Sequence, residues 1–486
     1  MNKIVFLSIF IPSTLFSQWV QQNVPSDLDM ILSIDFANVN TGVACGWKEN
    51  FTGKAAYTTN SGLNWIIAQF PDSSRSLVVV QMINDNTGYI AGAYNIFKDN
   101  LIKPAPVMLN KNFRSWNYHE RIGMTGSPAD PDEGYKGLFL KTTNGGRTWF
   151  TYGVLPSNVY YLMGMKFINF NTGFVSASLE YYAGGKNGVL KTTNGGLSWN
   201  ILYSIDTSDI NNVFTPDGNN VFVTGWKRFG YNTFDGIILR SSNGGSSWTI
   251  QRFSDCGAFY DVYFPNASTG FALTDDTDIT ALIYKTTNYG VNWTRLPFQS
   301  PMAVYNKIEF VNGSGKGIAI GNIVSPQSQF DKLLISRTTN YGSNWTSFMI
   351  PDTEHILYSS SLIDANNWFI AGGTYNDGII YKSTNGGAIG IQPISSEIPN
   401  QFSLYQNFPN PFNPTTKIKF QIAKSGDVKL VIFDVLGREA ATLVNENLNP
   451  GTYEVTWDAG RYPSGVYFYR LITQDYSETK KMVFLK

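Results

Sequence analysis

Thr142-Thr143-Asn144-Gly145-Gly146-Arg147-Thr148-Trp149 decides the fold, because this octapeptide recurs along the chain. Copies run from Thr58 to Trp65, Thr192 to Trp199, Ser241 to Trp248, Thr286 to Trp293 and Thr338 to Trp345. One more begins at Ser383-Thr384-Asn385-Gly386-Gly387 and lacks its Trp. Most neighbouring copies start roughly 45–52 residues apart, a spacing that suits one four-stranded blade. The Asn of each copy (Asn60, Asn144, Asn194, Asn243, Asn288, Asn340, Asn385) is expected to bond backbone two residues on and hold a tight turn. The Gly two places later (Gly62, Gly146, Gly196, Gly245, Gly290, Gly342, Gly387) supplies positive φ. The Trp (Trp65, Trp149, Trp199, Trp248, Trp293, Trp345) then opens a strand and packs on the blade. The octapeptide therefore predicts a hairpin between the third and fourth strands of each blade.

Working outward, each copy is preceded by a second recurring segment. Ile34 to Ala44, Met82 to Ala91, Met165 to Val175, Val262 to Ala272 and Ile308 to Ala319 share one plan, and Val213 to Val223 and Leu362 to Ala371 are weaker versions. Each reads as two alternating strands around a turn. The expectation is a seven-bladed β-propeller over residues 18–390. Its ends interlock: Gly390 stands where the last copy should carry Trp, and Trp19-Val20-Gln21-Gln22-Asn23-Val24-Pro25 reads as a spare fourth strand. Residues near 19–25 are thus predicted to complete the seventh blade and close the ring.

Composition agrees with an all-β chain. The 486 residues include 45 Gly, 12 Trp, 27 Tyr and 33 Phe, and no long stretch has helical period. A formal net charge of +0 supplies no field to gather polyanions, so a nucleic-acid role is not expected. Residues 1–17 read as a secretory leader: Lys3 gives a positive start, Ile4 to Phe16 an apolar run too short to span a bilayer, and Ser17 a small residue for cleavage. No later stretch reads as a transmembrane segment. Cys45 and Cys256 fall in different repeats and read as two buried thiols rather than a disulfide.

The octapeptide resembles the Asp-box of BNR-repeat propellers, and the array is similar to the photosystem II assembly and stability factor family. Sialidases and sortilin ectodomains carry the same box. This chain departs by placing Asn where the family has Asp. The resemblance covers about residues 18–390 and implies fold far more than function.

Residues 391–400 read as a linker. Beyond it, Lys417 to Ile422, Val428 to Asp434, Thr452 to Trp457, Val466 to Thr473 and Lys480 to Leu485 read as strands of a small Ig-like β-sandwich over 401–486. Tyr405 to Pro414 (with Asn410, Pro411, Phe412, Asn413 and Pro414), Asp434 to Arg438 around Gly437, Pro463 to Arg470 around Gly465, and Lys480-Lys481-Met482-Val483 stand in order. These motifs resemble the type A sorting domain of the type IX, or Por, secretion system of Bacteroidetes. The resemblance implies passage through the periplasm, recognition of residues 401–486 by the outer-membrane translocon, and a secreted or cell-surface destination.

Sites for chemistry are scarce. His119 and His355 lack ligand partners at metal spacing, and no metal or cofactor is expected. Arg75, Arg147, Arg240, Arg252, Arg295 and Arg337 sit mostly in boxes, loops or strand edges, away from the inner-strand clamp that a sialidase needs. Asp35, Asp261 and Glu309 read as equivalent first-strand acids, expected to line a wet central channel. Loops between second and third strands carry aromatics: Trp116, Tyr118, His119 and Tyr135 in a long insertion near 94–136, then Tyr181, Tyr182, Phe229, Tyr231 and Phe234. Such loops on a rigid scaffold suit a protein or glycan partner. The leading reading is therefore a non-enzymatic binding propeller with no catalytic residue. An extracellular glycoside hydrolase, using acids that meet on the axis, is the alternative. An assembly factor like those of photosystem II is a third, against which the export tail argues.

Overall fold

The computed structural model describes residues 19–48, 52–70, 75–95, 135–180, 185–229, 234–276, 280–300, 302–324, 332–350, 352, 354–374, 376–387, 398–460 and 462–486. The leader, most of the 94–136 insertion, Tyr181, Tyr182, Tyr231, Gly390 and most of the linker lie outside them. The chain divides into two compact units, residues up to 388 and from 389 onward. Every regular element described is a β-strand.

In the first unit the strands fall into consecutive antiparallel groups of four, here A to G. The innermost strands are Met30–Phe36, Arg75–Met82, Tyr161–Phe167, Ser208–Phe214, Asp261–Tyr263, Ala303–Phe310 and Ile356–Leu362. Groups B to F are separate sheets; A and G are joined into one sheet by the pair Met30↔Gly373. Group G takes its fourth strand from the other end of the chain: Val20 pairs with Lys382 and Gln21 with Tyr381. Trp19 is buried in the apolar cluster that holds Trp368 and Tyr381.

Neighbouring groups stack face to face on shared apolar clusters. Val43 of A meets Leu77 and Ile90 of B, and the series continues to Ile320 of F with Leu357 of G. One further cluster joins Phe369 and Ile380 of G to Ile34 and Ala44 of A, so the groups run in a closed circle. An aromatic pair marks several seams. Phe36 stacks on Phe369 at 4.0 Å, Phe167 on Tyr89 at 4.3 Å, Phe264 on Phe222 at 4.0 Å and Phe310 on Phe271 at 4.7 Å. The box Trp of the same group then meets the ring edge-on, as Trp65 does Phe36 at 5.8 Å. This packing explains the Gly that opens the second strand. A Cβ at Gly42 would lie 2.6 Å from the Phe36 ring, and one at Gly317 2.5 Å from Phe310.

Basic residues latch the boxes together. In groups C to F the residue before the box reaches the next group's box carbonyl: Lys191 to Gly244 O at 3.0 Å, Arg240 to Tyr289 O at 2.7 Å, Lys285 to Tyr341 O at 2.7 Å, and Arg337 to Gly386 O at 2.8 Å. Lys382 of G continues the series to Ser61 O of A at 3.0 Å.

The second unit has a three-stranded sheet (Ser403–Leu404, Thr415–Ile422, Gly451–Asp458) and a four-stranded one (Glu439–Leu448, Gly426–Phe433, Gly465–Ile472, Ser477–Phe484). Both bury side chains in one core that includes Phe412, Ile418, Phe420, Leu430, Trp457, Tyr469 and Phe484. The strand Glu439–Leu448 and the short Ser403–Leu404 are additions to the sequence reading.

Candidate functional site

The box residues form one repeated turn. In the third copy, Thr192 Oγ accepts from Asn194 N at 3.3 Å and Gly196 N at 2.9 Å, and donates to Asn194 Oδ1 at 2.9 Å. Asn194 Oδ1 also accepts from Ser198 N at 3.0 Å. Asn60, Asn144, Asn243, Asn288 and Asn340 make the same bond to the fourth residue on. The sequence reading placed that bond two residues on. The residue that bonds backbone two places on is the leading Thr or Ser, whose hydroxyl caps the turn from within. Gly62, Gly146, Gly196, Gly245, Gly290, Gly342 and Gly387 all have positive φ, from 59° to 91°.

The innermost strands surround a cavity of about 290 Å³. One register level is Asp35, Gln81, Lys166, Phe214, Tyr263, Glu309 and Ser361. Their partners (Val43, Tyr89, Phe174, Phe222, Phe271, Ile318 and Phe369) lie at matching places in the second strands. Asp261 corrects the sequence reading. It pairs with Leu273, as Ser33 pairs with Cys45 and Lys307 with Ile320, so it stands one level away from Asp35 and Glu309. Strand alternation keeps both levels facing the axis, two residues apart.

Each inner strand is the free edge of its sheet, and its N–H groups need acceptors. For groups A, B, C, F and G a side chain of the preceding group supplies one. Asp35 Oδ2 accepts from Met82 N at 2.6 Å, Gln81 Oε1 from Phe167 N at 2.7 Å, and Asp261 Oδ2 from Ile308 N at 2.8 Å. Glu309 Oε1 accepts from Leu362 N at 3.3 Å and Oε2 from Ser360 Oγ at 2.6 Å. Ser361 Oγ accepts from Phe36 N at 3.1 Å, which carries the series across the G–A seam.

The cavity gathers both signs of charge: Asp35, Asp261, Glu309, Lys166 and Lys307 all line it. Lys307 pairs with Asp261 at 3.2 Å. Burial pushes Asp35 up to about 6 and Glu309 up to about 7, against the pull of their hydrogen bonds and of Lys166 and Lys307 respectively. Burial lowers Lys166, and Asp35 and Glu309 only partly restore it. For Lys307 burial also acts downward, but Asp261, Glu309 and Asp35 together outweigh it. Tyr263 is raised by burial and by the nearby carboxylates, while its hydroxyl donates to Phe310 O at 2.8 Å. Residue type gave no signal for Lys166, Gln81 or Tyr263; alternation from Phe167, Met82 and Phe264 would have placed them on the axis.

Elsewhere, His355 lies between Asp352 at 2.8 Å and Asp377 at 2.9 Å, both ring nitrogens engaged. Phe234 packs edge-on to Trp226 at 5.0 Å, and Arg252 covers the Phe229 ring at 4.1 Å, so these two loop aromatics contact their own group. Cys45 and Cys256 are free and buried. No group of His, Cys, Asp and Glu suited to a metal occurs among the described residues.

In the second unit, Asn410 Oδ1 accepts from Val483 N at 2.9 Å. Phe412 stacks on Phe484 at 5.3 Å, and Pro414 O accepts from Ala459 N at 2.8 Å. Pro411 and Asn413 are exposed. Gly437 has φ 76° in a turn that Asp434 Oδ1 caps through Leu436 N and Arg438 N. Gly465 opens a strand; Lys480 pairs with Glu478 at 3.0 Å, and Lys481 O accepts from Gln406 at 2.8 Å. Asn407, within the Tyr405–Pro414 motif but not singled out there, is buried and bonds Thr416 and Pro409 O.

The first unit is thus a β-propeller and the second a sorting domain. Residues 406–485 match the family model of the secretion system C-terminal sorting domain. This domain indicates export through type IX secretion to the medium or the cell surface. Among solved structures, the chain is similar to YCF48 from Cyanidioschyzon merolae, with TM-score 0.50 and 14% identity over 75% of this chain and 98% of that one. It is also similar to the GH74 enzyme of Niastella koreensis, with TM-score 0.50 and 12% identity over 96% of this chain and 75% of that one. Likeness at these identities concerns the fold. No curated protein matches the sequence. No described helix is long and apolar enough to cross a membrane.

Proposed function

We infer that the chain is an exported, non-enzymatic binding protein: a seven-bladed propeller over residues 18–390, with groups A to G as its blades. Residues 1–17 serve as leader, 391–400 as linker, and 401–486 deliver the propeller to the type IX translocon. Trp19 and Val20–Gln21 complete the last blade, and the box residues hold turns rather than ligands. The observation that carries the non-enzymatic reading is the use made of the axial acids. Asp35, Asp261 and Glu309 each give an oxygen to the backbone N–H of the neighbouring group. A pair of hydrolytic carboxylates must instead present oxygens to a glycosidic bond and a water.

One observation favours the second reading, a glycoside hydrolase. Burial raises both Glu309 and Asp35, and a carboxyl that keeps its proton longer than usual is what a general acid requires. One experiment separates the two. The purified mature protein is screened against polysaccharides and surface glycans, recording binding and the release of reducing ends together. Binding without release is expected. Release that is lost in Glu309→Gln replaces this reading with the hydrolase.

A further inference from the structure

We propose that the axial cavity is a binding site for one neutral sugar ring or a polyol of that size. The inference rests on the binding-protein reading and names the chemistry of the ligand.

Lys166 is the starting point. It projects into the cavity from the inner strand of group C, and its ammonium lies 5.1 Å from the centre of the Phe214 ring. Among the described residues it makes neither a hydrogen bond nor an ion pair. Lys307, by contrast, is paired with Asp261 at 3.2 Å. The Lys166 ammonium, half-buried at the cavity wall, keeps donors free for an acceptor on a ligand. Asp35 and Glu309 are close enough to act on Lys166 electrostatically, but neither bonds it. Each has spare capacity. A carboxylate offers about four lone-pair sites, whereas Asp35 accepts from Met82 N, Phe36 N and Ser361 Oγ, and Glu309 from Ser360 Oγ and Leu362 N.

The group that satisfies both sides must accept from Lys166 and donate to Asp35 and Glu309. A hydroxyl does both at once. A carboxylate ligand would meet three acids, and an ammonium ligand would meet Lys166, so a neutral ligand with several hydroxyls fits the mixed charge. The walls match the rest of such a ligand. Half-buried Tyr263, 4.7 Å from the buried Phe214 ring and inclined to it at 43°, offers an aromatic wall for C–H groups. The volume of about 290 Å³ is at the small end of ligand sites, room for one ring rather than a chain. Asp35, Lys166 and Glu309 remain partly exposed, so the site is open to solvent.

The test titrates the purified mature protein with glucose, galactose, mannose, xylose and myo-inositol, with glucuronate and glucosamine as charged counterparts. Saturation-transfer NMR and calorimetry give the readout. The expected result is that at least one neutral ligand binds, and more tightly than its charged counterpart. Lys166→Met and Glu309→Gln each weaken it tenfold or more, while Leu197→Ser, on an exposed box position, leaves it unchanged. Lys166→Met should also melt at or above the wild-type temperature, which a merely structural lysine would not allow. The proposal is overturned if no neutral ligand binds, if a charged one binds better, or if Lys166→Met binds as wild type does. A polysaccharide or protein partner whose affinity is indifferent to both axial variants, with no sugar bound, would sink this site and leave the binding-protein reading standing. Hydrolysis in the earlier screen would sink that reading instead.

Discussion

The box turns and the axial strands belong to the same repeats and are built on opposite rules. At the boxes each copy uses the same residues for the same bonds, because each must bend the backbone through the same positive φ and cap the same N–H groups. At the axis the matching position is Asp35, Gln81, Lys166, Phe214, Tyr263, Glu309 and Ser361, a different residue type in every group. Four of these, Asp35, Gln81, Glu309 and Ser361, accept from the neighbour's edge, whereas Lys166, Phe214 and Tyr263 do not. Where geometry dictates, the repeat is strict; where any acceptor suffices, side chains are free to become chemistry.

The comparison breaks most visibly at Trp19, a box Trp supplied by a distant segment. Trp19→Ala should cost about 3–5 kcal/mol, the range for removing a buried aromatic, read as a lowered urea midpoint. A loss under half that of Trp199→Ala would show that the distant segment contributes little to group G. Next comes Thr192→Val, which keeps the shape and removes the hydroxyl that caps Asn194 N and Gly196 N. Leaving such buried groups unpaired costs about 1–3 kcal/mol each, measured by the same denaturation.

The axial prediction concerns pH. Glu309 in the folded chain holds its proton up to about 7, against 4.5 for the ordinary carboxyl. Between those values the folded state binds more protons than the unfolded one, so this group's contribution to stability falls as pH rises. Urea midpoints across that window should fall less steeply in Glu309→Gln than in wild type; parallel slopes would remove the titration from Glu309. The smallest effect is expected at Leu197, half-exposed on a box turn. Leu197→Ser should shift stability by no more than about 0.5 kcal/mol, and a larger loss would mean the box face has a packing role.

The strict regions are the ones legible in the sequence. The Asn-Gly-Gly repeats and the alternating segments before them specify an all-β propeller, and the Asn-Pro-Phe-Asn-Pro run with its later motifs specifies the sorting domain. The strand Glu439–Leu448 escapes because Asn445, Glu446 and Asn447 interrupt its alternation. The axis is harder to read for a physical reason. What selects Asp35 is the N–H of Met82, 47 residues away and in another sheet, so no local pattern records it. The bulges that interrupt most inner strands, as between Ile31 and Ser33 or Tyr305 and Lys307, further obscure which acids share a level. That is how Asp261 comes to look like a counterpart of Asp35.

The pairing of Val20 and Gln21 with Lys382 and Tyr381 also orders events during synthesis. The earlier segment must wait for one made much later. A nascent polypeptide stopped short of Tyr381 has no place to put it. The motifs read for export lie later still, so any polypeptide long enough to carry its address has already made the partner that its first strand was waiting for.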